Sequence, residues 1–353
     1  MSLFNDFYKD KRVLVTGHTG FKGSWLSIWL HELGANVIGL SLDPYSERDN
    51  YVLSGISEKI IDIRGDIRNL KLVTEIFQTY QPEIVFHLAA QPLVLLSYSE
   101  PVYTYETNVM GTIHVMEAIR ATSSVKAGVL ITTDKCYENR EQLWGYRECD
   151  AMGGHDPYSS SKGAAEIAIA SWRRSYKLPI ASVRAGNVIG GGDWALDRII
   201  PDCIRAIETD KPIEIRNPQA IRPWQHVLEP LGAYLLLATK LHSSPEKYAE
   251  SWNIGPELNS VSTVKEISEM LTQHYGKGIV NDKSDTSKLH EANLLMLDIT
   301  KVNLRLGWKP VLNINQTLEL TVDWYKRYSS ENVHELCLEQ IKTYLSYYEK
   351  NNS

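Results

Sequence analysis

The chain is predicted to be an α/β protein: a doubly wound parallel sheet with a smaller mixed α/β C-terminal domain. Three observations predict it. Short apolar runs alternate with helix-length stretches from Arg12 to about Arg184. A glycine-rich turn, Gly17-His18-Thr19-Gly20-Phe21-Lys22-Gly23, directly follows the first run. Beyond Asn187 the alternation loosens, with Gly190-Gly191-Gly192 and several prolines. Strands that are apolar throughout are buried on both faces, and helices between them make the sheet parallel, the Rossmann-type arrangement.

The expected strands are Arg12–Thr16, Asn36–Leu42, Ile60–Ile63, Ile84–Leu88, Gly128–Thr132 and Ile180–Arg184. The helix after the first turn carries Trp25, Leu26, Ile28, Trp29 and Leu33 at helical spacing. Further helices are read at Leu70–Tyr80, Tyr103–Ala121 and Tyr158–Tyr176, then near Leu196–Thr209, Leu228–Leu241 and Thr263–His274. Short strand-like pieces stand at Ile213–Ile215, Gln225–Val227 and Trp252–Ile254. The resulting division assigns 1–187 plus 225–254 to a dinucleotide-binding domain. Residues 188–224 plus 255–353 form the second domain.

Composition narrows the function. The chain has 353 residues, 43% hydrophobic and 23% charged, enough for a large core. A net charge of -6 and a pI near 6.0 argue against a general nucleic-acid binder. No apolar run approaches the roughly 20 residues of a membrane span, and residues 1–11 do not resemble a signal peptide. The four cysteines are scattered without a CxxC pair, as expected of reduced thiols in a cytoplasmic protein. The ten histidines show no metal-binding spacing, so no metal is expected.

The turn after the first strand reads GxxGxxG through Gly17, Gly20 and Gly23. Glycine there lets backbone approach a pyrophosphate, which the next helix faces with its positive N-terminus. Asp43, 20 residues on, suits the ribose hydroxyls and repels a 2′-phosphate, which favours NAD; the alternative is a turn residue in Asp43-Pro44. Asp66-Ile67 after the third strand suits adenine, or else Asp66 caps the following helix. Lys22 adds charge near the pyrophosphate, or is a solvated helix-start lysine.

Two further motifs carry chemistry. Tyr158 precedes Lys162 by one helical turn, on the same face. A free phenol with a pKa near 10 is a poor base at neutral pH, and a neighbouring ammonium favours the phenolate. Thr133-Asp134-Lys135 follows the fifth strand and sets a hydroxyl, a carboxyl and an amine at the ligand edge of the sheet. The competing reading is a cap-and-turn cluster.

At these residues the chain resembles the extended short-chain dehydrogenase/reductase superfamily, and within it the nucleotide-sugar 4,6-dehydratases. The resemblance covers nearly the whole chain. It rests on the glycine turn with Ser24-Trp25, His87-Leu88-Ala89-Ala90-Gln91-Pro92, Thr133-Asp134-Lys135-Cys136-Tyr137 and Asp156-Pro157-Tyr158. Arg184 to Trp194 and Arg222-Pro223-Trp224-Gln225-His226-Val227 complete it. Most of the group carry Asp-Glu where this chain has Asp134-Lys135, and Asp-Lys is similar to the branch that takes CDP-hexoses.

The resemblance implies an internal NAD redox cycle, in deoxysugar or O-antigen precursor synthesis. Tyr158 takes the 4-hydroxyl proton as the C4 hydride leaves, water is lost across C5–C6, and hydride returns at C6. Thr133 would bind O4, and protonated Asp134 would be the acid for the departing hydroxyl. Lys135 would take the C5 proton if neutral, or steady the enolate if charged.

Cofactor contacts are implied for Gly17, His18, Gly20, Phe21, Lys22, Gly23, Asp43, Asp66, Ile67, Ala89, Ala90, Gln91, Asn108, Tyr158 and Lys162. Asn108 would order its helix or a water near the site. Substrate contacts are implied for Gln91, Asn187, Trp194, Arg198, Arg216 and Arg222, with Arg222 on the pyrophosphate; Arg198 and Arg216 could equally be surface charges. Trp194 and Trp224 wall the site or are plain core. A homodimer through Tyr103–Ala121 and Tyr158–Tyr176 follows by analogy. The rival readings are a nucleotide-sugar 4-epimerase or 4-reductase, which would not need Asp134 and Lys135, and a silent dinucleotide sensor, which would not need Tyr158 and Lys162.

Overall fold

The computed structural model describes residues 4, 6–257, 260–283 and 294–352. The first half runs β1 (Arg12–Thr16), α1 (Phe21–Glu32), β2 (Asn36–Ser41), α2 (Asn50–Leu53), β3 (Ile61–Arg64), α3 (Leu70–Tyr80) and β4 (Ile84–His87). It continues through α4 (Val94–Ser99), α5 (Pro101–Tyr105), α6 (Gly111–Ala121), β5 (Ala127–Ile131), α7 (Pro157–Tyr176) and β6 (Ile180–Ala185). The second half runs β7 (Val188–Ile189), α8 (Ile199–Glu208), β8 (Ile213–Ile215), β9 (Ile221–Pro223), β10 (Gln225–His226), α9 (Leu228–Ser243) and α10 (Pro245–Tyr248). Then come β11 (Ser251–Ile254), β12 (Val261–Thr263), α11 (Val264–Tyr275), β13 (Val280–Asp282), α12 (Ile314–Arg327) and α13 (Val333–Asn352).

Seven parallel strands form the main sheet in the order β3-β2-β1-β4-β5-β6-β11. Chain direction across the sheet reverses between β1 and β4, which pair with Val13 opposite Ile84. Sheets of this kind bind ligands beyond the strand ends at such a reversal. The two-residue period of β1 divides the core. Val13 and Val15 join Trp25, Trp29 and Leu228 on one face, while Leu14 joins Val73, Val115 and Ile169 on the other. Three two-stranded pairs, β7–β10, β9–β12 and β8–β13, lie outside the main sheet.

Helix α13 returns across α1, with Tyr344 edge-on to Trp29 at 5.7 Å. Glu229 of α9 is buried and anchors this return. It accepts the backbone N–H groups of Val311 and Leu312 at 2.7 Å each, and the Tyr344 hydroxyl at 3.2 Å.

Two helices differ from their expected form. Tyr103–Ala121 is interrupted by a π-helical turn at Glu106–Met110 between α5 and α6, a distortion frequent at functional sites. The helix expected from Leu196 starts only at Ile199, because Asp197 takes φ +60° and Arg198 is extended. Among the described residues no helix is long and apolar enough to cross a membrane.

Candidate active site

The β1–α1 turn has the shape of a diphosphate cradle. Gly17 takes φ +76°, and a Cβ on it would stand 2.7 Å from the Ala89 nitrogen. A Cβ on Gly23 would meet the Gly17 carbonyl oxygen at 2.0 Å. Both glycines are therefore required by the fold. Gly20 is different: its φ is −73°, and a Cβ there would meet nothing closer than 3.4 Å. A side chain there would make only an ordinary contact with the Gly17 carbonyl, so the protein's own packing does not require this glycine. No side chain caps α1, and its first turn has no acidic residue. These features fit the pyrophosphate of a dinucleotide. The Phe21 ring turns toward Gly190, where a Cβ would lie 3.2 Å from Cζ.

His18 departs from expectation. Its ring is fully buried and pairs with Asp62 at 2.8 Å, so the side chain faces β3 and only its backbone borders the cradle. Burial lowers its pKa, against the pull of Asp62. Asp62 also accepts the Tyr51 hydroxyl at 2.5 Å and pairs with Arg64 at 3.0 Å. Asp43 stands beyond β2 with its side chain 88% exposed, open to a ribose. Its sequence neighbourhood lacks a basic residue, but β3 delivers the Arg64 Nε to within 3.6 Å.

Asp66 does not cap α3. That role falls to Asn69, whose side chain accepts from the Leu72 N–H, while Asp66 pairs with Arg68 at 2.7 Å. Ile67 is buried beneath Gly111, so its backbone, not its side chain, can meet a base.

Beyond β4, Gln91 and Asn108 are spent internally. Asn108 Oδ1 accepts the Gln91 N–H at 2.9 Å, and its Nδ2 donates to the Gln91 carbonyl at 3.0 Å and to Ser161 at 2.9 Å. The Gln91 amide donates to Thr104 at 2.9 Å and accepts from the Leu93 N–H at 2.5 Å. The side chains of both therefore fix the Ala89-Ala90-Gln91 loop against α7 and are not presented to a ligand. Asn108 sits within the π-helical turn at Glu106–Met110. His87 bridges Thr16 at 2.7 Å and Thr112 at 3.0 Å, and burial pushes its pKa down to about 3.

The structure brings Thr133, Asp134, Tyr158 and Lys162 together, all buried, with Lys135 half-buried at the edge. Thr133 donates to Asp134 Oδ1 at 2.9 Å, and its hydroxyl side chain favours the ionised Tyr158 phenol. Among the described residues Asp134 Oδ2 has no hydrogen-bond partner. Burial raises the Asp134 pKa, against Lys135, Thr133 and Arg222. A carboxyl in this state holds a proton it can give.

Burial likewise pushes Tyr158 up to about 12, opposed by Thr133 and Arg198. It pushes Lys162 down to about 8, opposed by Glu166 and Cys136. Glu166, one turn beyond Lys162, is buried against Arg184 at 2.7 Å, Thr132 at 2.6 Å and Ser182 at 2.8 Å. Burial alone would raise Glu166, but these partners outweigh it and keep it charged. The pair bolts α7 to β5 and β6 beneath the site. Nothing in the local sequence marks it, because its members are far apart along the chain.

On the substrate side Arg198 pairs with Asp193 at 2.7 Å. Lys22 faces the same group of charges. Burial together with Lys162 and Arg198 pushes it down to about 7, against Asp134 and Asp193. Lys162 and Arg198 thus stand near enough to Lys22 to oppose its charge. Arg222 borders Asp134 and donates to the Ile221 carbonyl at 2.9 Å. Asn187 is half-buried between β6 and β7, and its carbonyl accepts the Gln225 N–H. Arg216 pairs with Asp197 at 3.0 Å on the surface. Trp194 and Trp224 are buried in the core, Trp194 against Tyr325 and Tyr328. Neither lines an open wall. Among the described residues no cluster of His, Cys, Asp and Glu is arranged to hold a metal.

A family described as GDP-mannose 4,6 dehydratase matches residues 14–321. The chain is 45% identical over 351 residues to a CDP-glucose 4,6-dehydratase of Salmonella typhimurium, covering 97% of this chain and 98% of that protein. It shares its fold with the dTDP-glucose 4,6-dehydratase of Bacillus anthracis in complex with NAD, with TM-score 0.78 and 23% identity over 90% of this chain and 97% of that one. A Thermus thermophilus UDP-glucose 4-epimerase in complex with NAD superimposes with TM-score 0.76 and 25% identity, over 89% and 99% of the two chains.

Proposed function

We propose that this chain, which belongs to the GDP-mannose 4,6-dehydratase family, dehydrates CDP-D-glucose to CDP-4-keto-6-deoxy-D-glucose with NAD as its resident cofactor. The observation that carries the reading is the buried Asp134 carboxyl, which accepts from Thr133 on one oxygen and, among the described residues, is unpartnered on the other, with its pKa raised by burial. An epimerase or reductase moves hydride at C4 alone and has no use for a second, protonated acid.

NAD, when bound over Gly20, supplies reversible hydride storage, so the sugar is oxidised at C4 and reduced at C6 with no net redox change. Tyr158 removes the 4-hydroxyl proton while Thr133 hydrogen-bonds O4. Its high pKa in the free protein must fall for this, and cations at the site favour the phenolate. The 4-ketone acidifies C5–H. Lys135 then acts at C5, as an amine that takes the proton or an ammonium that steadies the enolate. Asp134 protonates the departing 6-hydroxyl. Arg222, Arg198 and Asn187 hold the nucleoside diphosphate.

The same reading assigns 1–187 plus 225–254 to NAD and 188–224 plus 255–353 to the nucleotide sugar, in a cytoplasmic protein. A homodimer would cover the apolar side chains exposed on α4 to α7, among them Tyr98, Val102, Tyr105 and Ile167. The test is incubation with CDP-, dTDP-, GDP- and UDP-hexoses, read by mass spectrometry. Loss of one water from the CDP-hexose, without NADH accumulation, is expected. A product that keeps its 6-hydroxyl would refute the reading.

A further inference from the structure

A side-chain cluster that this chemistry does not use stands between the loop leaving β2 and the loop leaving β7. The Arg48 guanidinium lies over the Trp194 ring, 3.6 Å from its centroid. It donates to Glu208 at 2.6 Å and to the Tyr328 hydroxyl at 2.5 Å, and that hydroxyl donates to Glu208 at 2.8 Å. Tyr328 stacks on Trp324, 5.2 Å between centroids and 4° between planes. Arg48 thus contacts α8, the C-terminal end of α12 and the 190–198 segment at once.

Both tied segments lead to the site. Arg48 is five residues beyond Asp43, in a loop closed by the Ser46 and Arg48 N–H groups donating to Asp49 and Ser46 side chains. Trp194 directly follows Asp193, which fixes Arg198. A second contact runs parallel: the Asn50 N–H donates to the Gly192 carbonyl at 3.4 Å. Gly192 takes φ +78°, and a Cβ on it would lie 2.4 Å from the Asn50 Cβ.

We propose that Arg48 is a positioning residue that ties the 43–49 loop to the 193–198 segment, so that NAD and the cytidine diphosphate portion of the substrate bind cooperatively. The inference rests on the reading above, in which Asp43 meets the NAD ribose and Arg198 the substrate diphosphate. Binding at either loop restricts both, because a cation over an aromatic face and a charge-assisted hydrogen bond braced by the Tyr328 hydroxyl resist shear between them. The second ligand then meets a segment already ordered. Reciprocity requires each ligand to tighten the other by the same factor.

Calorimetric titration of the whole protein with NAD, alone and with saturating CDP, and the converse titration, tests this without turnover. Wild type should show a coupling of about fivefold or more, equal in both directions. Arg48→Met should bring it within about twofold of unity, and general destabilisation would not move this ratio. Glu208→Gln removes the ion pair from the opposite side and should act likewise, should Arg48→Met fail to fold. Unchanged coupling in either folded variant, or wild type that binds both ligands independently, overturns the inference alone. Wild type that binds neither overturns the functional reading and the inference with it.

Discussion

Replacing Thr133 by valine keeps the side-chain shape and deletes one hydroxyl that stands between Tyr158 and Asp134. In the wild-type site that hydroxyl lowers the Tyr158 pKa against burial, which has pushed it to about 12. A hydrogen bond to a charged group is worth about 1.5–3 kcal/mol, and one pKa unit corresponds to about 1.36 kcal/mol. Thr133→Val should therefore raise the Tyr158 pKa by roughly one to two units. The phenolate is the active form, so the rising limb of the pH–rate profile moves alkaline. At neutral pH the C4 oxidation slows about 10- to 100-fold, and much of the loss returns at alkaline pH. Thr133 has one hydroxyl proton, so the hydroxyl that donates to Asp134 Oδ1 in the resting site turns to the phenolate as Tyr158 ionises; burial raises the Asp134 pKa with or without that donor, so its acid role survives. The assay is rapid mixing with NAD and CDP-D-glucose, following single-turnover NADH absorbance across a pH series. An unmoved alkaline midpoint would show that Thr133 does not support the Tyr158 phenolate.

Three further outcomes follow from the same site and its supports. Lys135→Met should leave C4 oxidation largely intact but slow C5 exchange with solvent deuterium and water loss by about 10²- to 10⁴-fold; near wild-type exchange would make Lys135 a strand-end residue. Asp43→Ala should weaken NAD binding by about tenfold or more and NADP binding less, because the carboxylate that repels a 2′-phosphate is gone and the Arg64 Nε is released from it, while Arg64 stays anchored on Asp62. Wild-type protein that binds NADP more tightly than NAD would defeat the assignment of Asp43. Burial raises Glu229 to about 7, so its contribution to stability is complete below its unfolded pKa near 4.5 and is lost as pH rises through 7, at about 1.4 kcal/mol per unit. Glu229→Gln keeps the acceptor for Val311 and Leu312 and should gain in melting temperature over wild type between about pH 5 and about pH 8; a constant difference would contradict the buried-acid account.

The motifs that carry the site were legible because each is short and local. A turn whose Cα atoms must approach their neighbours demands glycine within seven residues, and Tyr158 and Lys162 share a face because one helical turn separates them. Apolar runs marked the strands of the sheet to within a residue or two. The π-helical turn at Glu106–Met110 was not legible, since its residues suit an α-helix equally well and the Asn108 contacts to Gln91 and Ser161 select the wider turn. The start of α8 at Ile199 was hidden for a similar reason: Asp197 adopts left-handed backbone in a segment ordered by Asp193 and Trp194.

By itself, the sequence determined the order of elements, the glycine cradle and the types of acid and base available, since those depend on neighbours along the chain. Only the tertiary structure decided which polar side chains remain for a ligand. His18 is taken by Asp62, Asp66 by Arg68, Asn108 by the Gln91 backbone and Ser161, and the Gln91 amide by Thr104 and Leu93. A buried donor or acceptor must find a partner or bear a desolvation cost, and partners brought in from distant strands leave no local signature. Asp134 is buried with one oxygen unpartnered among the described residues, and a Cβ on Gly20 would meet only the Gly17 carbonyl, outcomes set by the whole fold and not by local sequence.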